Sequence, residues 1–343
     1  LIVIESISIY KNIEENYHFY KYHSICNLNF FLQTANGFKM LIDKLNNALF
    51  VVNPVSGKLS IKKKISLIKS VVQNNNSKIV VTQSPEESIE KSKDAMLNDR
   101  LVIACGGDGL QNMVAEQAIK TGGTMAVFPM GRGNDFAASL NVKNATDVKE
   151  ALVSGIVHKA RYLKVEFDEY TKVCLTCAGV GLLSEAAFRA SKIPILKGSL
   201  LYAVATLLSF VNLHNHGYQL SIGGKEKEDS FLIIAGAASP YTGGGMFIAP
   251  EAFKEDGNVN LLSAKKVNRL QAVKLLSQVF SGKHINNSNV VNSHVSDFEI
   301  NTQSTNTWAR LVYGDGEYLG NLPVKINIGQ DPLNVLLPSS SNQ

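Results

Sequence analysis

Leu101-Val102-Ile103-Ala104-Cys105-Gly106-Gly107-Asp108-Gly109 is the stretch that decides the fold. Its first half is a short apolar run of the kind buried on both faces of a sheet, and its second half is a glycine loop. A helical pattern follows from about Gln111 to Lys120. A strand running straight into a glycine loop and then a helix is the repeating unit of a parallel sheet covered on both faces. The same unit recurs on either side. Upstream, Ala48-Leu49-Phe50-Val51-Val52 is apolar and breaks at Asn53-Pro54. Helical spacing then puts Ile61, Ile65, Ile68 and Val72 on one face, with Lys62, Lys63, Lys64 and Lys69 largely off it. Lys78 to Thr82 reads as the next strand. Ser84-Pro85-Glu86-Glu87 opens a helix, with Ser84 as cap, Pro85 in the first turn and Glu87 completing a capping box. Downstream, Met125 to Phe128 predicts a fourth strand. Loops at the carboxyl ends of such strands are where ligands bind.

After about residue 158 the texture changes. Strand-like segments dominate, at 161–167, 172–178, 217–222, 230–237, 258–264, 296–301, 309–313, 323–328 and 333–337, with helical stretches at 183–192, 198–213 and 268–280. This predicts a second, β-rich domain, with part of the C-terminal tail returning to the first. Before Met40 the chain is rich in Asn, Tyr, Phe and Lys without a helix or strand period. The expectation is that residues 1–39 are upstream sequence or a poorly ordered extension.

Bulk composition narrows the classes. With 343 residues, 45% hydrophobic and 18% charged, the chain is globular and long enough for two domains. A net charge of +5 suits an anionic substrate or membrane surface. No basic run alternates with aromatics and no nucleic-acid motif is present, so nucleic-acid binding is not expected. No apolar run reaches the roughly 18–20 residues of a membrane span; the nearest, Ser199 to Leu213, is too short. Cys174-x-x-Cys177 lacks the second pair a zinc site needs, and the two thiols fit as small side chains of one apolar strand. A reducing, cytoplasmic setting is the matching expectation.

Four loops carry chemistry. Asn53-Pro54-Val55-Ser56-Gly57-Lys58 is not a P-loop, because Val52 and Leu59 stand where that motif needs Gly and a hydroxyl residue. A strand ending this way before a helix can still offer amides and a hydroxyl to a phosphate, and is otherwise a plain turn. The 105–112 loop is not the dinucleotide GxGxxG, since Asn112 takes the place of its third glycine. Asp108 beside phosphates suggests a cation-assisted nucleotide site, against the plainer reading of a tight turn with a helix-capping Asp. Met130-Gly131-Arg132-Gly133-Asn134-Asp135-Phe136-Ala137 looks like a second wall of the same cleft. Gly314-Asp315-Gly316-Glu317 holds two acids on one turn, and a carboxylate near a transferring phosphoryl group can take the proton of an acceptor hydroxyl.

In this order and spacing, Asn53-Pro54-x-Ser56-Gly57, Gly106-Gly107-Asp108-Gly109, Gly131-x-Gly133-Asn134-Asp135-Phe136-Ala137 and Asp315-Gly316-Glu317 resemble the motifs of the diacylglycerol kinase/sphingosine kinase family, its bacterial lipid kinase branch most closely. The resemblance runs from about residue 47 to 338. It implies a fold like that of NAD kinase and phosphofructokinase: an ATP-binding α/β domain (47–157) and a β-rich lipid-substrate domain (158–338). It also implies an ATP-dependent lipid kinase acting on a hydroxyl of diacylglycerol or a related lipid. Carried over by position, Asp108, Asp135, Asp315 and Glu317 form an acidic cluster, with Glu317 as general base. Asn53, Pro54, Ser56, Gly57, Lys58, Thr82, Gly106, Gly107, Asp108, Gly109, Leu110, Asn112, Arg132 and Asn134 then hold ATP, and Mg2+ bridges its phosphates. A further match, Gly243 to Pro250 followed by Phe253 to Asn258, implies a structural metal on Asp256 and the carbonyls of Phe253 and Asn258. A glycine-rich turn with a capping Asp is the plain alternative there.

The sequence departs from the family pattern at Leu110, where a hydroxyl residue is usual, at Met113, often Glu, and at Arg132, often Thr. Two other readings therefore stand beside the first. A NAD kinase-like phosphotransferase would share the Gly-Gly-Asp-Gly loop, though not the loops at 53 and 131. A catalytically silent nucleotide- or lipid-binding member is motivated by Leu110. Peripheral contact with a membrane follows from a lipid substrate. Ser199–Leu213 reads as an acyl pocket or as an ordinary core helix, and Lys62, Lys63 and Lys64 as a contact for anionic lipid or, more plainly, a solvated face. A homodimer is left open.

Overall fold

Runs in which every residue is apolar become strands buried on both faces, and such strands form the middle of the first sheet. The computed structural model describes residues 47–72, 77–191, 215–255 and 257–339. In it β1 (Leu49–Val52) and β3 (Val102–Gly106) are buried at every residue, flanked by β2 (Lys78–Val81) and β4 (Thr124–Pro129). The four pair in parallel in the order β2-β1-β3-β4. Between them run α1 (Ile61–Val71), α2 (Pro85–Leu97) and α3 (Asp108–Thr121). Ser84 caps α2 by accepting from the Glu87 amide, but the Glu87 carboxylate returns to the Gln83 amide at 2.7 Å. The expected capping box is thus shifted by one residue on its return bond.

After β4 come α4 (Asp135–Ser139) and α5 (Ala145–Ser154), and β5 (Ile156–Ala160) closes the edge of the same sheet. The chain therefore leaves this sheet at Arg161 and Tyr162, not near 157. No residue of β5 is fully buried, so it carries no apolar run that would mark it as a strand.

The β-rich part is antiparallel. It holds β6 (Leu163–Glu166), β7 (Thr171–Cys174), β8 (Cys177–Gly181), β9 (His216–Ile222), β10 (Lys225–Ala237), β11 (Val259–Lys265), β12 (Val290–Val295), β13 (Asp297–Asn301), β14 (Leu311–Gly314), β15 (Glu317–Asn321) and β16 (Val324–Ile328). β10 is long enough to change partners: its first half pairs with β9, its second lies between β8 and β11. The sheet folds over a core that includes Val165, Tyr218, Ile234, Phe298 and Ile326. α6 (Leu182–Ser191), α7 (Arg269–Val279) and the short α8 (Thr307–Arg310) belong to this part. The single strand expected over 172–178 is two, split at Leu175–Thr176, with Cys174 and Cys177 buried and unpaired on either side of the split. The expected helix over 198–213 lies outside the described residues. Finally β17 (Leu333–Leu337) enters the first sheet, parallel to β4 and antiparallel to β5. The α/β first part and β-rich second part expected from the sequence are both present.

Candidate active site

Three of the four loops leave the carboxyl ends of β1, β3 and β4, and they meet backbone to backbone. Glycine is what permits it. A Cβ on Gly131 would lie 2.2 Å from the Cα of Gly107, and one on Gly57, at φ +65, would lie 2.2 Å from the Met130 carbonyl oxygen. The 53–57 turn, the 106–109 loop and the 130–134 loop therefore make one floor, joined at Gly57, Gly107 and Gly131. Gly107 is also the N-cap of α3, so that helix begins at the floor, with the amide-rich end that favours anions. Asn134, at φ +59, shapes the third loop by accepting from the Gly131 amide at 2.8 Å. Lys58 and Arg132 are exposed on the turns of this floor.

The three aspartates expected in an acidic cluster are all tied to main-chain amides. Asp108 accepts from the amides of Asn134 and Asp135, both at 2.8 Å. Asp135 accepts from the amides of Gly244 and Gly245 at 2.8 and 2.7 Å, which joins the α/β part to the β-rich part. Asp315 accepts from the Leu175 amide at 2.7 Å, the Thr176 amide at 2.9 Å, the Thr176 hydroxyl at 2.6 Å and the Asn112 side chain at 2.9 Å. Four donors fill the acceptor sites of one carboxylate, so Asp315 acts as a clamp on the turn that carries Glu317. Asn112 also donates to the Val173 carbonyl at 3.0 Å, which makes it a second bridge between the two parts.

These acids still crowd one another. Asp108 Oδ2 and Asp135 Oδ2 lie 2.7 and 3.5 Å from the point where a Cβ on Gly133 would sit. Burial first, and then the neighbouring charge, raises both carboxyls, Asp135 to about 7. Excess negative charge of this kind is what a hard divalent cation relieves, and Mg2+ is commonly held by one or two carboxylates together with substrate phosphates. Asp108 and Asp135 fit that role.

Lys64 was missed in the sequence, where it sat with Lys62 and Lys63 on a solvated face. In the structure α1 turns Lys64, Ile68 and Val71 inward and leaves Ile61 41% exposed. The Lys64 ammonium lies beneath the 53–56 turn and donates to the carbonyls of Asn53 (2.7 Å) and Pro54 (3.0 Å) and to Ser56 Oγ (3.1 Å). Ser56 Oγ donates in turn to the Asn53 carbonyl at 3.1 Å, so its hydrogen is committed within the turn. The i, i+4, i+7 spacing with Ile68 and Val71 was the available signal. Two other expected ATP contacts are also internal. Thr82 is buried and shares a 2.7 Å hydrogen bond with the Ser88 hydroxyl. Leu110 is buried beneath Gly106, its Cδ2 2.8 Å from where a Cβ on that glycine would stand.

Glu317 opens β15 and reaches the start of α3, its Oε1 3.2 Å from the Cβ position of Gly109. Partial burial and then Asp315 push its carboxyl above the usual range, while Lys172 pulls it back. Near this turn is an apolar cavity of about 100 Å³ that opens to solvent. Leu182 and Ala186 of α6, Leu275 and Val279 of α7, and Leu232 and Leu262 line it. So do Gly243, Gly314 and Gly316, the chain neighbours of the Asp135-binding amides, of Asp315 and of Glu317.

Of the expected structural metal ligands, Asp256 lies outside the described residues. The Asn258 carbonyl accepts from Arg161 Nη2, and the Glu255 carbonyl accepts from Arg161 Nη1 at 2.6 Å. A guanidinium thus gathers two carbonyls of this loop. Among the described residues no group of three or more His, Cys, Asp or Glu side chains could hold a metal ion.

A glycine floor at the carboxyl end of a parallel sheet, faced by a β-rich part that supplies carboxylates, defines a NAD kinase-like architecture. Residues 47–165 match the family model described as the diacylglycerol kinase catalytic domain, and residues 176–337 match that described as the YegS C-terminal NAD kinase beta sandwich-like domain. The chain belongs to the bacterial diacylglycerol kinase family. It is 25% identical to a diacylglycerol kinase of Bacillus subtilis over 81% of this chain and 92% of that protein. A diacylglycerol kinase of Mycobacterium tuberculosis is 26% identical over 69% of this chain and 76% of its own length. In fold it is similar to the crystal structure of a diacylglycerol kinase from Bacillus anthracis, with a TM-score of 0.65 at 16% identity, over 87% of this chain and 98% of the other.

Proposed function

We propose that the chain is an ATP-dependent lipid kinase that phosphorylates a hydroxyl of diacylglycerol or a related lipid. The observation that carries this reading is the apolar cavity whose lining includes Gly314 and Gly316, on either side of Asp315 and next to Glu317. A hydroxyl borne on an acyl chain can seat its tail there and keep its polar end beside the carboxylate. The floor built from Gly57, Gly107 and Gly131, with the start of α3, suits a triphosphate.

In this reading the Glu317 carboxylate takes the acceptor proton as the hydroxyl oxygen forms a bond to the γ-phosphorus. The bond from that phosphorus to the bridging oxygen breaks, and ADP leaves with the electron pair. Asp108 and Asp135 would hold Mg2+, which would offset the negative charge that builds up during transfer. Asp135 and Asn112 hold the β-rich part against the floor, which fixes Glu317 relative to the nucleotide. Membrane contact is peripheral in this reading, as no helix among the described residues is long and apolar enough to cross a membrane.

Glu317→Gln should lower lipid phosphorylation by about 10²–10⁴ while ATP binding persists. Unchanged transfer would overturn the base assignment. Ala186→Trp, which fills the cavity, should raise KM for a long-chain acceptor and leave KM for ATP alone.

A further inference from the structure

The chain has two long acid-free stretches rich in cations, Lys44 to Pro85 and Gly257 to Ser296, and the second combines them with exposed apolar side chains. From Gly257 to Ser296 there is no Asp or Glu, and the same stretch holds Lys265, Lys266, Arg269, Lys274 and Lys283 against a net charge of +5 for the whole sequence. All five are exposed, and α7 lies at their centre. Asp229 faces Lys265, but among the described residues Lys266, Arg269 and Lys274 have no ion-pair partner. Arg269 stands in the first turn of α7, where a cation opposes the helix dipole. Its charge is therefore not there for the helix.

α7 has two apolar faces. Ala272 and Leu275 are buried, and with Leu276 and Val279 they line the cavity next to Glu317. On the other face Leu270 is 84% exposed and Val273 45% exposed, followed by Phe280 at 43%. These fall at i, i+3 and i+10, one stripe along the helix, edged by Lys266, Arg269 and Lys274. Exposed aliphatic and aromatic side chains ringed by unpaired cations match an anionic bilayer, where apolar side chains enter the acyl boundary and cations meet headgroups. A second copy of this chain is a poorer match, because an isologous contact would set the same cations against each other.

We infer that α7 and its flanks dock the protein on an anionic lipid surface, so that the helix resting on the membrane is also a wall of the cavity. This deepens the proposed function, sharing its premise that the substrate is a membrane lipid, but its readout is binding and not catalysis. The test is co-sedimentation of the full chain, without ATP, with vesicles of phosphatidylglycerol or of phosphatidylcholine. Binding to phosphatidylglycerol is expected, weakened by salt. Lys266→Gln/Arg269→Gln/Lys274→Gln should lower the partition coefficient by about 100-fold, and Leu270→Ser/Val273→Ser by about tenfold. Melting temperature and turnover of a short-chain, water-soluble diglyceride should stay at wild-type values in both variants. Equal binding by wild type and variants, or no binding by wild type, would overturn the inference. So would a dimer in analytical ultracentrifugation that Leu270→Ser/Val273→Ser dissociates, which assigns the face to a second copy. Vesicle binding through this face without phosphorylation of any lipid would leave the docking surface standing and sink the kinase reading.

Discussion

Lys64→Met removes a buried ammonium from beneath the first loop of the floor and keeps most of its volume. The three bonds lost are to the Asn53 and Pro54 carbonyls and Ser56 Oγ, at 2.7, 3.0 and 3.1 Å. Hydrogen bonds to charged groups contribute about 1.5–3 kcal/mol each, but burial already disfavours this ammonium and lowers its pKa, which offsets part of that gain. After the change Asn53 still accepts from Ser56, leaving chiefly the Pro54 carbonyl facing a thioether, at about 1–3 kcal/mol for an unsatisfied group. A net loss of about 3 kcal/mol follows, or roughly 5 °C in melting temperature for a chain of this size. The loop that loses its support is the one expected to face phosphate. KM for ATP should therefore rise about tenfold, equivalent to ~1.4 kcal/mol, with kcat within the same decade. Lys63→Met, on the exposed face of the same helix, is the control and should stay within about 0.5 kcal/mol. Scanning calorimetry and ATP titration of the two variants decide it. If Lys64→Met matches Lys63→Met in both, the buried ammonium does not order the turn and the reasoning fails.

Three further outcomes are expected. Gly131→Ala forces a Cβ to within 2.2 Å of the Gly107 Cα, a backbone clash that should cost about 3 kcal/mol and weaken ATP binding; a wild-type melting curve would show that the loops do not meet as described. Glu317 must be ionised to accept a proton, and its carboxyl is held above the usual range by burial and Asp315. Activity should therefore fall as pH drops through a value above the ordinary glutamate range, and Lys172→Met should move that limb higher still, since Lys172 lowers it. A limb that stays put in the Lys172 variant would contradict this. Arg161→Ala removes two charged bonds to loop carbonyls and should lower stability by about 2–4 kcal/mol, whereas a chelator should leave the wild-type melting temperature unmoved. A fall of several degrees on chelation would put a metal in that loop after all.

The floor of the candidate site was legible because glycine and aspartate at strand ends have few other uses, and β1, β3 and β4 because short all-apolar runs fit little else. The inward turn of Lys64 was legible only in part. The spacing with Ile68 and Val71 placed it on the buried face, but the carbonyls that receive its ammonium belong to a loop that precedes it, which no hydrophobic period records. The turn at Leu175–Thr176 was also hidden, because it has neither glycine nor proline. Its amides are satisfied by Asp315, far along the chain, so the signal for the break lies on another strand pair. β12 carries Asn292, Ser293 and His294 and so lacked the apolar alternation of a strand. Asp108 and Asp135 were read as cluster acids, Asp108 also as a helix cap, whereas their oxygens join segments whose neighbourhood only the fold creates.

β17 lies between β4 and β5, with Asn334 opposite both Thr124 and Lys159. A nascent chain thus leaves its earliest layer open, with two strand edges bare, through the whole synthesis of the β-rich part. The α/β sheet receives β17 only after the whole β-rich part has been made. Cutting the chain at either crossing, between β5 and β6 or between β16 and β17, would yield no self-sufficient α/β fragment, since each such fragment lacks a strand. Any recombination that swapped the β-rich part for another would have to carry β17 across with it, so the two parts are inherited together.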